Sequence, residues 1–255
     1  MPIAPVNGLE MYYDIEGSGP PLLLLHGGLT TIEYSFNKLR PKLAQRWTTI
    51  AVEQQAHGRT ADIDREITYA GMADDTAALL RHLSITQADV FGWSDGGNTG
   101  VQLALRHPEL VRKLAVFGSF CSMDALYPHI IEFFATATAD DFGADLREAY
   151  EKVAPRKEWN RLIDKTKVMT LPQESWSPDK LKSISVPTLF MIGDDDIVKP
   201  EHAVDMFRLL PKGQLAILPG TNHFAPIYKP DLLLSLIEPF LAGPMPKQKT
   251  AATFG

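Results

Sequence analysis

The chain has one cysteine, Cys121, so no internal disulfide can form, and without any Cys-x-x-Cys pair the commonest zinc framework is missing as well. It also has no dense run of lysine or arginine. With 25 basic against 31 acidic residues the formal charge is −6, which disfavours nucleic acid or another polyanion as a partner. The longest purely aliphatic run, Leu22 to Leu25, is far short of the ~18 residues of a membrane span. The opening Met1-Pro2-Ile3-Ala4-Pro5-Val6-Asn7 lacks the basic start and apolar stretch of a secretory signal. No internal repeat is visible. These absences predict a cytoplasmic protein with neither membrane nor nucleic acid among its partners.

What is present describes a globular enzyme-sized chain. Its 255 residues and 28.3 kDa suit one large domain, able to bury about 70% of the unfolded surface. Leu22 to Leu25 are apolar on consecutive positions, the mark of a strand buried on both faces and hence of a parallel sheet between helices. Similar runs occur at Thr48 to Val52, Ala88 to Phe91, Lys113 to Phe117, Pro187 to Ile192 and Gln214 to Leu218, and Leu9 to Ile15 is strand-like. Helical periodicity fills Tyr69 to Leu83, Asn98 to Arg106, His202 to Leu210 and Asp231 to Leu241. Strand and helix alternate, so the predicted class is α/β, with a mostly parallel central sheet flanked by helices. Gly96, Gly100 and Ala104 recur every four residues and predict a small face lying close against that sheet.

Between Ser119 and Ser183 the alternation stops and only helical, aromatic-rich periodicity remains. The expected organisation is a core of residues 1–118 and 184–242, a helical lid insertion at 119–183, and a loose tail at 243–255.

Chemistry concentrates in one pentapeptide. Gly92-Trp93-Ser94-Asp95-Gly96 follows a strand and opens a helix, the context in which Gly-x-Ser-x-Gly presents a nucleophilic serine on a strained turn. Serine is a poor nucleophile at pH 7 and needs a base oriented by a carboxylate. Downstream, one strand runs into Gly193-Asp194-Asp195-Asp196 and the next into Gly220-Thr221-Asn222-His223. Parallel strands end together, so both segments should lie at the same edge as Ser94. The three aspartates compete for the acid role. Upstream, His26-Gly27-Gly28 supplies flexible backbone whose amides can face a developing oxyanion.

With these motifs and the turn Ala56-His57-Gly58-Arg59-Thr60, the sequence resembles the α/β-hydrolase fold serine hydrolases over nearly its whole length, Leu9 to Leu241. The elbow is similar to that of the biphenyl hydrolase-like, or valacyclovir hydrolase, group. The resemblance implies Ser94 as nucleophile, His223 as base and Asp196 as acid, by the Gly-x-x-Asp spacing, with Asp124 as a weaker alternative. It implies Gly28 and Asp95 as oxyanion amides, His26 and His57 as structural hydrogen-bonding residues, and no metal or cofactor. The Asp95 side chain either faces the pocket, favouring cationic substrates, or only caps its helix. Aromatic type nominates Trp93, Phe120, Tyr127, Trp159, Trp176 and Phe224 as substrate contacts. The expected activity is hydrolysis of small esters, lactones or thioesters through an acyl-enzyme. The alternatives are a carbon-carbon bond hydrolase or perhydrolase on the same fold, and a ligand receptor without turnover.

Overall fold

A computed structural model describes residues 2–170 and 176–245. The first part of the chain forms β1 (Ile3–Val6), β2 (Leu9–Glu16), β3 (Pro21–Leu25), α1 (Ile32–Phe36), α2 (Arg40–Leu43), β4 (Thr48–Val52) and α3 (Tyr69–His82). Next come β5 (Ala88–Trp93), α4 (Asp95–Arg106), β6 (Val111–Phe117), α5 (Pro128–Thr136), α6 (Ala144–Val153), α7 (Trp159–Thr170) and α8 (Pro178–Lys182). The last are β7 (Thr188–Asp195), α9 (Pro200–Leu209), β8 (Gly213–Asn222), α10 (Ala225–Tyr228) and α11 (Pro230–Ala242).

The eight strands form one sheet in the order β1-β2-β4-β3-β5-β6-β7-β8. From β4 to β8 every pairing is parallel, while the pairings of β1 with β2 and of β2 with β4 are antiparallel, so β2 alone runs against the rest. The expected α/β class is the one found. β1 was not foreseen. It pairs with β2 across Asn7 and Gly8, both at positive φ, as a tight hairpin turn requires.

Consecutive apolar positions make the inner strands two-faced, and each face has its own layer. One carries α3, α4 and α9 over Leu23, Leu25, Val90 and Leu114. The other carries α1, α2 and α11 over Leu22, Leu24, Phe91 and Ala115. The small face of α4 has the expected use: a Cβ on Gly96 would lie 2.1 Å from the Leu25 carbonyl oxygen. β6 carries an unusual core residue, the fully buried Lys113. Its Nζ donates to the carbonyls of Phe240 (2.7 Å), Leu241 (3.1 Å) and Gly243 (2.7 Å), where the C-terminal end of α11 attracts a cation.

Between β6 and β7 the described residues contain helices and a short 3-10 turn but no strand, apart from an isolated bridge between Leu126 and Val198. α6 and α7 sit on a third apolar cluster that joins Tyr150, Trp159 and Leu162 to Leu29, Tyr69 and Met72. Buried Asp62 holds α7 down, accepting from Arg161 Nε at 2.6 Å and Lys165 Nζ at 2.8 Å. Burial pushes its pKa up, but hydrogen bonds from Gln55, Lys165 and Arg161 outweigh that, so the group sits below its usual value. No helix among the described residues is long and apolar enough to cross a membrane. Of the expected tail, residues 246–255 lie outside the described residues.

Candidate active site

β5 ends at Trp93 and α4 begins at Asp95, so Ser94 alone makes the turn, at φ 54° and ψ −120°. A non-glycine residue rarely adopts such a conformation, and the surroundings must enforce it. The Ser94 N–H donates to the Phe117 carbonyl at 2.8 Å, tying the turn to the end of β6. A Cβ on Gly92 would lie 2.4 Å from the Gly96 carbonyl oxygen, so the chain doubles back too tightly for a side chain there.

Asp196 and His223 each follow directly on a strand end, as Ser94 does. His223 Nε2 lies 2.9 Å from Ser94 Oγ, and His223 Nδ1 lies 2.7 Å from Asp196 Oδ1. A carboxylate only accepts, so the proton sits on Nδ1 and Nε2 is free to accept from the serine. Asp196 and His223 are buried, whereas Asp194 and Asp195 are exposed. Asp194 instead accepts the Thr221 N–H, and Asp124 takes the Ser122 hydroxyl. Of the four candidate acids, only Asp196 is hydrogen-bonded to His223 among the described residues. Trp93 Nε1 donates to the His223 carbonyl at 2.9 Å, fixing the loop that carries the imidazole.

His26 and His57 brace the Gly27-Gly28-Leu29 loop through their backbone neighbours. His26 donates from Nδ1 to the Gly27 carbonyl (2.7 Å) and accepts the Gln54 N–H on Nε2 (3.1 Å). His57 donates from Nδ1 to the Gln55 carbonyl (2.9 Å) and accepts the Leu29 N–H on Nε2 (3.1 Å). That leaves Leu29 occupied and held at φ 63°. No hydrogen bond among the described residues uses the N–H of Gly28 or of Asp95.

Both imidazoles are fully buried in neutral form, and burial lowers the pKa of His26 to about 3 and of His57 to about 4. With both values depressed, the unfolded chain binds more protons than the folded one below about pH 6.5, so stability is present above that pH and lost as pH falls. Between pH 6.5 and 4 each imidazole should cost about 1.4 kcal/mol per pH unit. We expect the melting temperature to fall between pH 7 and pH 5; a flat profile would show that these rings are not buried neutral.

A cavity of about 230 Å³ opens beside Ser94. Of the six aromatic residues nominated as substrate contacts, Trp93, Phe120 and Phe224 line it, whereas Tyr127, Trp159 and Trp176 lie elsewhere. Tyr127 leads into α5 and stacks on the His129 ring, with centroids 5.8 Å apart. Trp159 is buried in the cluster beneath α6 and α7, its Nε1 bonded to the Ala139 carbonyl at 3.0 Å. Trp176 packs into the core layer beside Phe120 and Cys121. The reading from residue type missed Phe133, Phe134 and Phe142, whose rings meet at 5.3 to 6.4 Å along the cavity wall. Adjacent phenylalanines on α5, a helix with no buried residue, were the available signal.

Asp95 also faces this cavity. Its Oδ1 accepts the Tyr69 hydroxyl at 2.7 Å, so the side chain bonds to α3 rather than capping its own helix. Burial raises its pKa, opposed by the Tyr69 hydrogen bond. Among the described residues, no lysine or arginine lines the cavity.

The chain matches the alpha/beta hydrolase fold family over residues 20–158. The sn-1-specific diacylglycerol lipase ABHD11 of Mus musculus is 26% identical over 276 residues, covering 94% of this chain and 87% of that protein. The serine hydrolase BPHL of Mus musculus is 26% identical over 247 residues, covering 92% and 84%. Among solved structures, the 2-hydroxy-6-oxo-6-phenylhexa-2,4-dienoate hydrolase of Rhodococcus sp. strain RHA1 superposes with a TM-score of 0.78 at 19% identity, covering 92% of this chain and 95% of that one.

Proposed function

Because the chain belongs to the alpha/beta hydrolase fold family, we propose that it is a serine hydrolase of small esters, lactones or thioesters, with Ser94 as nucleophile. The reading rests on the unbroken hydrogen-bond path from Ser94 Oγ through His223 to Asp196, beside a cavity with an apolar wall. His223 Nε2 takes the serine proton as Oγ attacks the carbonyl carbon, and Asp196 stabilises the imidazolium that results. The N–H groups of Gly28 and Asp95 receive the oxyanion. Collapse of the tetrahedral intermediate expels the alcohol or thiol, which takes its proton from His223. Water then attacks the acyl-enzyme by the same route, releasing the acid and restoring Ser94. In this reading residues 119–183 form the lid that keeps bulk water from the acyl group.

Charge supports the ester reading over carbon-carbon cleavage. The dienoate named for the Rhodococcus hydrolase is an anion. Here the described residues offer the cavity no lysine or arginine to receive one and include Asp95, so neutral or cationic substrates fit better. A kinetic panel tests this: p-nitrophenyl esters of increasing chain length, aminoacyl esters, lactones and a dienoic acid. Ester turnover above the dienoic acid supports the proposal, and the reverse order overturns it. Binding without steady-state product release would support the receptor alternative.

The Asp95 carboxyl should shape the panel further. An ammonium 4 Å away is attracted by about 1 to 4 kcal/mol. Asp95→Ala should therefore lower kcat/KM for an aminoacyl ester about tenfold or more, while p-nitrophenyl butyrate keeps much of its rate. Equal losses on both esters would make the side chain structural only.

A further inference from the structure

The two peptide groups that flank Gly28 are each held by one end. In the Gly28-Leu29 group the N–H is taken, by His57 at 3.1 Å. In the Gly27-Gly28 group the carbonyl is taken, by His26 Nδ1 at 2.7 Å and by Thr30 Oγ1 at 2.7 Å, with the Thr30 N–H a weaker third donor at 3.4 Å. Thr30 is buried just ahead of α1, and its hydroxyl also lies 2.7 Å from Oγ of buried Ser35. A threonine hydroxyl has one proton to give, and here it goes to Gly27, so Thr30 accepts from Ser35. The donors run in one direction, from Ser35 through Thr30 to the carbonyl.

A trans peptide group is planar, and its C=O and N–H point opposite ways. Holding the Gly27 carbonyl toward His26 and Thr30 therefore turns the Gly28 N–H away from both, where no hydrogen bond among the described residues takes it. The hold is needed because this group lies between two glycines, which lack the Cβ that restricts such a rotation elsewhere. Neither position takes a side chain without displacing a neighbour: a Cβ on Gly27 would lie 3.1 Å from the Trp93 ring, and one on Gly28 2.2 Å from Asp95 Oδ2. We propose that Thr30 is a positioning residue that aims the Gly28 N–H at the oxyanion by holding the carbonyl of the same peptide group. The oxyanion rests on the hydrolase reading, whereas the direction of the carbonyl is a property of the loop alone.

Thr30→Val keeps the shape of the side chain and removes the donor. On p-nitrophenyl butyrate it should lower kcat by about ten- to hundredfold, while KM changes less than about threefold, because the aimed N–H matters most once charge has developed on the oxygen. Thr30→Ser retains the hydroxyl and should recover most of the loss. An alkyl trifluoromethyl ketone, whose adduct with Ser94 carries the oxyanion, should bind Thr30→Val more weakly by about the same factor as kcat falls. A crystal structure of that variant should show the Gly27 carbonyl turned away from its present direction or divided between two. If Thr30→Val does not fold, Thr30→Ala against Thr30→Ser makes the same comparison. The proposal is overturned if kcat is unchanged, if KM rises in its place, if Thr30→Ser loses as much as Thr30→Val, or if the carbonyl keeps its direction. An unmodified protein that neither turns over esters nor takes a fluorophosphonate would sink the hydrolase reading. A carbonyl unmoved in an active Thr30→Val would sink this one alone.

Discussion

Ser94→Ala should lower kcat on any ester substrate by about six orders of magnitude, the cost of removing a triad serine in a serine protease. The size of the effect follows from what remains. In the proposed mechanism the Gly28 and Asp95 N–H groups and the cavity would still bind the ester, leaving a residual of about 10³ to 10⁴ over water. Neither can replace the covalent step, because His223 would have only water to activate in a site shaped around Oγ at 2.9 Å. The measurement is p-nitrophenol release at enzyme concentrations high enough to see the residual, with a fluorophosphonate probe to count active serines. Labelling should vanish while turnover falls to that residual. Unchanged turnover in the variant would end the serine hydrolase reading.

Asp196→Asn should lower kcat by about 10⁴ while leaving the fold intact, because a carboxamide at this position favours the wrong imidazole tautomer and cannot stabilise the imidazolium. The ring itself has little room to compensate. Gly118, at φ 64°, lies against it so closely that a Cβ there would sit 2.8 Å from both Cε1 and Nδ1 of His223. Asp194→Asn and Asp195→Asn should change kcat far less, as both side chains are exposed and neither touches the imidazole. A pH-rate profile for all three variants checks the assignment. If Asp194→Asn or Asp195→Asn were the crippled one, the acid would be misassigned although the mechanism survived.

That Ser94, Asp196 and His223 would meet at one edge could be read in advance, because each follows a strand that announces itself as an apolar run and parallel strands end together. Glycine spacing served equally well, since Gly92 and Gly96 stand where backbones touch. β1 escaped because only four residues pair and two prolines flank or interrupt them, although Asn7-Gly8 is a strong hairpin signal. The cavity wall was half legible. Trp159 and Trp176 are as aromatic as Phe120, but which face a large side chain presents depends on the docking of α6 and α7, through Asp62 among others.

Lys113 has a consequence for the order in which the molecule can be completed. Its three acceptors lie 127 to 130 residues further along the chain. α11 brings both the cover over Lys113 and the carbonyls that receive its ammonium, so until α11 has docked the Lys113 head is left to water and this end of β6 stays open. Burial of this end of β6 therefore waits for residues 240–243. Cutting the chain before Phe240 would be felt first in the strand beside the nucleophile rather than at the new terminus.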